Sequence, residues 1–191
     1  MARRPVPRRR RALGPAAGGL VAAAVLAGCA APVSVTPGEE AREPVCAEVL
    51  QATPDDLGGL ERRSTTAQAA TAWGEPAVTL RCGVSPPGPT TDRCLSIEAD
   101  GQSVDWIAVP DEDAGAGAED AETEAEAEDA PDDPAGRGGW TFVTYGRIPA
   151  VEVVVPVEQA GEQPTAALVE LAPAVAVVPA ERFCVGPDDA G

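Results

Sequence analysis

The sequence predicts an α+β fold: a small, mostly antiparallel sheet with flanking N- and C-terminal helices, stapled by disulfides. Three observations point there. Short segments in the middle of the chain alternate apolar and polar residues with the period of two that one-sided strands show. Segments near either end place apolar residues at helical spacing. Four cysteines lie in a stretch that follows an export-like start, which favours disulfide bonding over free thiols.

The start comes first in the chain. Residues 1–12 hold six arginines and no acid, and Leu13 to Ala27 carry no charge. Leu26-Ala27-Gly28-Cys29 then closes the apolar run with small residues before a cysteine. A basic start, an apolar middle and a small-residue cut site are the parts of a signal peptide. The apolar run falls short of the ~20 residues that span a bilayer, and its glycines weaken it as a helix. Residues 1–28 therefore read as a lipoprotein signal peptide and Cys29 as the lipidation site. Arg10-Arg11-Ala12-Leu13 half matches a twin-arginine signal, so the export route stays open between two pathways. The expected location is the outer face of the cell membrane.

Residues 29–44 lack periodicity and hold three prolines and a glycine. They read as a flexible tether, with a relaxed reach of ~20 Å and a stretched reach of ~50 Å. A helix is expected over Val45–Ala52, with Cys46, Val49 and Leu50 on one face. Thr53-Pro54-Asp55-Asp56 is a turn or a fresh helix start. Strands follow at Ala77–Cys82, Leu95–Ala99 and Val104–Val109, the last two joined at Asp100-Gly101 as a hairpin. Trp140–Tyr145 alternates again, and Val151–Val155 is a β-branched run interrupted by Glu152. Leu168, Leu171, Val175 and Val178 fall at helical spacing, with Pro173 placed to kink or divide the helix. One domain over residues 45–187 with a short tail at 188–191 accounts for the pattern.

Residues 111–136 break it. They contain twelve acids, no base and no large apolar side chain, so they cannot bury apolar surface and are expected to be a disordered insertion. A calcium-loop reading fails because the glycine and the closing glutamate are misplaced.

Setting Cys29 aside, Cys46, Cys82, Cys94 and Cys184 allow three pairings. The favoured one is Cys82–Cys94, closing a Pro/Gly-rich loop, with Cys46–Cys184 joining the ends of the domain. Neither a close cysteine pair nor an activating base is present, which speaks against a metal site or a catalytic thiol.

Composition removes whole classes of function. The chain has no histidine and no lysine. Imidazole-based triads, imidazole metal ligands, lysine nucleophiles and Walker-type phosphate loops are all excluded. No cofactor and no metal are expected. After cleavage, eight arginines face 31 acids, a formal net charge of −23. Phosphate backbones and anionic lipid surfaces repel such a chain. Nucleic acid is therefore no partner, and contact with the bilayer must come through the Cys29 lipid.

Three stretches carry a resemblance: T-A-W-G-E-P-A-V-T-L-R-C-G-V at 71–84, V-D-W-I at 104–107 and T-Y-G-R-I-P-A-V-E-V at 144–153. The opening C-A-E-V-L and the nearby G-L-E-R-R match more weakly. With these pieces the chain resembles the DUF3515 family, small exported or membrane-anchored proteins of actinobacteria without an assigned function. The acidic run looks like an insertion relative to that pattern. The resemblance implies fold and location but supplies no catalytic residues.

The matching stretches concentrate Trp73, Arg81, Asp105, Trp106, Tyr145 and Arg147. Arg81, Asp105, Trp106, Tyr145 and Arg147 form the candidate ligand-binding group, since arginine forks beside aromatic rings and a carboxylate recognise small acidic or sugar-like molecules. The competing reading makes the aromatics core and pairs the arginines with Asp105 or Glu152. Asp105 and Glu152 are also the candidate acid/base pair of a cell-wall glycan hydrolase. The leading functional expectation is a non-enzymatic lipoprotein that binds or supports another envelope component.

Overall fold

A computed structural model describes residues 30–110, 139–161 and 163–185. The signal peptide, Cys29, the acidic insertion at 111–136 and the tail at 188–191 lie outside the described residues. Among those described, α1 (Pro44–Ala52) is followed by β1 (Asp56–Leu57), β2 (Leu60–Arg63), β3 (Ala70–Trp73) and β4 (Val78–Val84). Then come β5 (Cys94–Ala99), β6 (Gln102–Pro110), β7 (Gly139–Thr144), β8 (Ala150–Pro156), α2 (Val157–Ala160) and α3 (Ala166–Val175).

The strands form one sheet of eight in the order β1-β2-β3-β4-β8-β7-β6-β5, with every neighbouring pair antiparallel. Two meanders, β1–β4 and β5–β8, are joined where β8 lies against β4. The fold is thus the expected α+β class with a mostly antiparallel sheet. The Asp100-Gly101 turn has φ of +51° and +76°, the pair of left-handed residues that a two-residue hairpin needs.

One face of the sheet carries the core. Leu80, Val104, Trp106, Phe142, Val151 and Val153 meet Val49 of α1 and Leu168, Leu171 and Val175 of α3, all buried. Trp140 stacks on Phe142 with ring centroids 6.2 Å apart. Pro44 opens α1 at a position where its missing N–H costs nothing. Pro173 does not divide α3; it falls in the last turn, and the helix ends two residues later at Val175. Thr53-Pro54-Asp55 is a bent, extended link into β1, so no fresh helix starts there.

The disulfide pairing corrects the expectation. Cys46 bonds Cys82 and Cys94 bonds Cys184, with Cα–Cα distances of 5.4 and 6.2 Å. Cys82–Cys94 is impossible because β8, β7 and β6 stand between β4 and β5. Four strand spacings amount to ~19 Å, whereas a disulfide spans at most ~7 Å. Cys46–Cys184 fails because Cys46 sits in the core cluster on the helix side of the sheet, while Cys184 contacts Asp105 on the other side.

The tether is also corrected. From Ala31 onward the chain is laid along the face of the sheet opposite the helices. Val33 is buried against Ala72 and Ala77. Its N–H donates to Ser64 O at 2.8 Å, and its carbonyl accepts from Thr66 N at 2.9 Å. Arg81 Nη1 holds Thr36 O at 3.1 Å, and Glu40 N donates to Gly83 O at 2.8 Å. Gly38 packs so tightly on Gly83 that a Cβ there would overlap the Gly83 carbonyl. Val33, the partly buried Val35 and a series of backbone bonds dock this segment, and none of these requires the periodicity that reveals a helix or strand.

Candidate functional site

Register decides where each candidate side chain goes. On β6, Val104, Trp106 and Ala108 face the helices, so Asp105 and Ile107 face the other side. On β4 and β8, Leu80, Cys82, Val151 and Val153 face the helices, so Arg81 and Glu152 also lie on the far face. The candidate group therefore separates into three parts.

The first part is a cross-strand pair. Arg81 and Glu152 are directly opposite in register. The guanidinium grips the carboxylate at both ends, Nε to Oε1 at 2.5 Å and Nη2 to Oε2 at 2.9 Å. Its third nitrogen holds Thr36 O. Arg81 is committed to joining β4, β8 and the N-terminal segment, which realises one of the pairings the competing reading allowed.

The second part sets Arg147 near Asp105, with Tyr145 joined to Asp105 through its backbone N–H. Asp105 Oδ1 accepts from Ser96 Oγ at 2.6 Å, Oδ2 accepts from Cys184 N at 2.7 Å, and its carbonyl accepts from Tyr145 N at 2.8 Å. Arg147 is 4 % exposed. It donates through Nη2 to Ser103 O at 2.9 Å and through Nη1 to Val178 O. Burial lowers the Arg147 pKa from the ordinary arginine value, and the negative charge of Asp105 works against that shift. Gly146 O accepts from Glu181 N at 2.7 Å, and Arg147 bridges Ala180. Gly146 has a φ of +72° and packs directly on Arg182 backbone, where a side chain would overlap. With the Cys94–Cys184 bond, this cluster clamps the segment after α3 to β5, β6 and the β7–β8 turn.

The third part is Trp106 alone. It is fully buried on the helix side, away from Asp105, and its Nε1 has no hydrogen-bond partner among the described residues. Trp73, also fully buried, donates Nε1 to Pro54 O at 2.9 Å.

Asp105 and Glu152 share a face but not a cleft. Glu152 is level with Ile107 across β7, two residues and two strands from Asp105. Strand rise and spacing put them roughly 12 Å apart, beyond the ~5–9.5 Å of glycosidase carboxylates. Both carboxylates are already held, by Arg81 in one case and by Ser96 and Cys184 in the other.

Sequence reasoning passed over Arg62 and Arg63. Arg62 lies 5.9 Å over the Trp73 ring, donates to Thr71 Oγ1 at 3.1 Å and to Leu50 O at 3.2 Å, and pairs with Asp55. Arg63 pairs with Glu75 and donates Nη2 to Ala31 O at 3.2 Å. Their signal was present in the weak G-L-E-R-R match, but charged residues on a short strand look the same as solvated ones.

A cavity of about 160 Å³ lies elsewhere, lined by residues including Leu57, Leu60, Val155, Ala167 and Glu170, and an open one of about 290 Å³ lies at the Asp100-Gly101 hairpin. Pockets for drug-sized ligands usually measure ~300–1,000 Å³. Among the described residues, no three histidine, cysteine or acidic side chains gather to hold a metal ion. Nor is any helix among them long and apolar enough to cross a membrane.

Fold and site together define a disulfide-clamped α+β domain whose charged residues bind its own terminal segments to the sheet. The chain belongs to the DUF3515 family, proteins of unknown function, whose family model matches residues 15–183. No curated protein and no solved structure matches the chain.

Proposed function

We propose that the chain is a lipoprotein of the cell envelope, anchored through Cys29 and acting without catalysis by binding or supporting another envelope component. One observation carries this reading. The domain's four cysteines pair among themselves, which leaves Cys29, directly after Leu26-Ala27-Gly28, as the fifth and unmatched thiol. Two disulfides suit an oxidising compartment outside the cytosol. The strong negative charge makes a covalent lipid the credible means of attachment to a bilayer.

Absence of histidine and lysine, together with the internal bonds of Asp105, Glu152, Arg81 and Arg147, favours a binding role over a chemical one. Phe183 and Val185, 64 % and 74 % exposed on either side of Cys184 in the clamped tail, offer apolar contact to a partner. In cells supplied with labelled palmitate, the wild-type chain is expected to carry label in the membrane fraction. Cys29→Ser is expected to lose the label and either appear in the medium or keep its signal peptide. Label retained by the Ser variant would refute the anchor.

A further inference from the structure

We infer that residues 31–43 hold the anchored domain in one fixed orientation on the bilayer, with the Gly74–Ala77 turn and α2 toward the lipid. The inference rests on the lipid-anchor reading of Cys29 and adds a geometry to it.

A tether would let the domain turn freely over a reach of tens of ångströms. Here the chain is fixed from Ala31, whose carbonyl is held by Arg63 Nη2. One residue, Ala30, separates Cys29 from that point, and the two steps span at most ~7 Å. The lipid attachment therefore lies close to wherever Ala31 leaves the fold. Arg63 also donates to Gly74 O at 3.0 Å and pairs with Glu75, so that place is the turn between β3 and β4. From there the segment runs away along the sheet, past Ser64 and Arg81 to Gly83.

Two features beside the exit point suit a membrane surface, although the acidic insertion also leaves the sheet at this end, from Pro110 and Gly139. Gln159 Nε2 bonds Glu75 O and Pro76 O, which seats α2 beside the turn. α2 presents Val157, 51 % exposed, an apolar side chain suited to the headgroup boundary. Arg63 offsets the charge of Glu75 at the same place. At the opposite end of the strands lies the Asp100-Gly101 hairpin, where Gln102 begins β6. Val78, Val155 and Trp140 lie near the level of Pro110, at the far end of β6 from Gln102. Eight residues of strand separate these levels, roughly 25 Å. The hairpin end therefore points away from the bilayer, and a protein partner is met there or along the sides.

Energy transfer to a lipid-borne acceptor tests this. Protein purified with its lipid from membranes is reconstituted into vesicles, with an encoded fluorophore replacing either Glu158 or Gln102, both exposed. Transfer from position 158 is expected to exceed that from position 102 by about twofold or more, given the ~25 Å difference in height. A Gly/Ser linker of about 15 residues inserted between Ala30 and Ala31 is expected to abolish the difference while leaving the docked segment intact. Equal transfer from both positions in the chain without the linker, on protein that floats with the vesicles, would overturn the orientation alone. Protein that fails to float would overturn the anchor and the orientation together.

Discussion

Arg147→Met lowers the stability of the domain by about 3–5 kcal/mol, measured as a shift of the urea midpoint at unchanged slope. Methionine keeps much of the length and apolar stem of the side chain, so the loss reports the guanidinium rather than a cavity. Three groups depend on it. Ser103 O and Val178 O lose charged donors in a nearly dry setting, and Asp105 loses the positive charge that faces it. Bonds to charged groups are worth ~1.5–3 kcal/mol each, more than neutral ones, because an orphaned buried partner bears its full desolvation cost. The variant's tail should also be cut by proteases near Arg182 at concentrations that spare the wild type. A midpoint shift equivalent to less than about 1 kcal/mol would show that Arg147 is a solvated surface residue.

The second large effect is the loss of the Cys94–Cys184 bond. The paired cysteines are 90 residues apart in sequence, and on the chain-entropy model a loop of that size contributes roughly 4.5 kcal/mol. Cys94→Ser with Cys184→Ser should therefore cost about 3–4.5 kcal/mol, measured by urea unfolding under non-reducing conditions. Asp105 and Gly146 still hold the tail by hydrogen bonds, so the native state should persist rather than rearrange. Peptide mapping of the wild type should give the Cys46–Cys82 and Cys94–Cys184 links. A double variant as stable as the wild type would mean that the tail contributes nothing to the fold.

These two effects involve residues that the sequence singled out and whose work it did not disclose. Alternation in 95–99 was legible because β5 is covered more on one face than the other, and Asp-Gly has one efficient use between paired strands. β4 is buried at six of its seven positions, since the N-terminal segment covers the face that would otherwise be wet. β3 is made of alanine, threonine and one tryptophan and is buried for the same reason, so no period marks it. β2, Leu-Glu-Arg-Arg, carries three charged residues in four and reads as a loop.

The disulfides could not be paired from spacing because the insertion of β8 between β4 and β7 is a property of topology. Cys82 and Cys94 are near in sequence but have three strands between them in space. The candidate group failed for a related reason. Asp105 and Trp106 are adjacent in sequence, and adjacency on a strand sends their side chains to opposite faces. Arg81, two strands farther across the sheet than the Asp105 cluster's β7 edge, found its partner in Glu152.

What Cys29 carries decides both the anchor and the orientation, and one mass spectrum addresses it most directly. Protein extracted from membranes and digested should yield an N-terminal peptide beginning at Cys29, with a diacylglyceryl group on its sulfur. An unmodified Cys29 inside a peptide that still contains residues from 1–28 would contradict the anchor, and with it the membrane geometry built on residues 31–43.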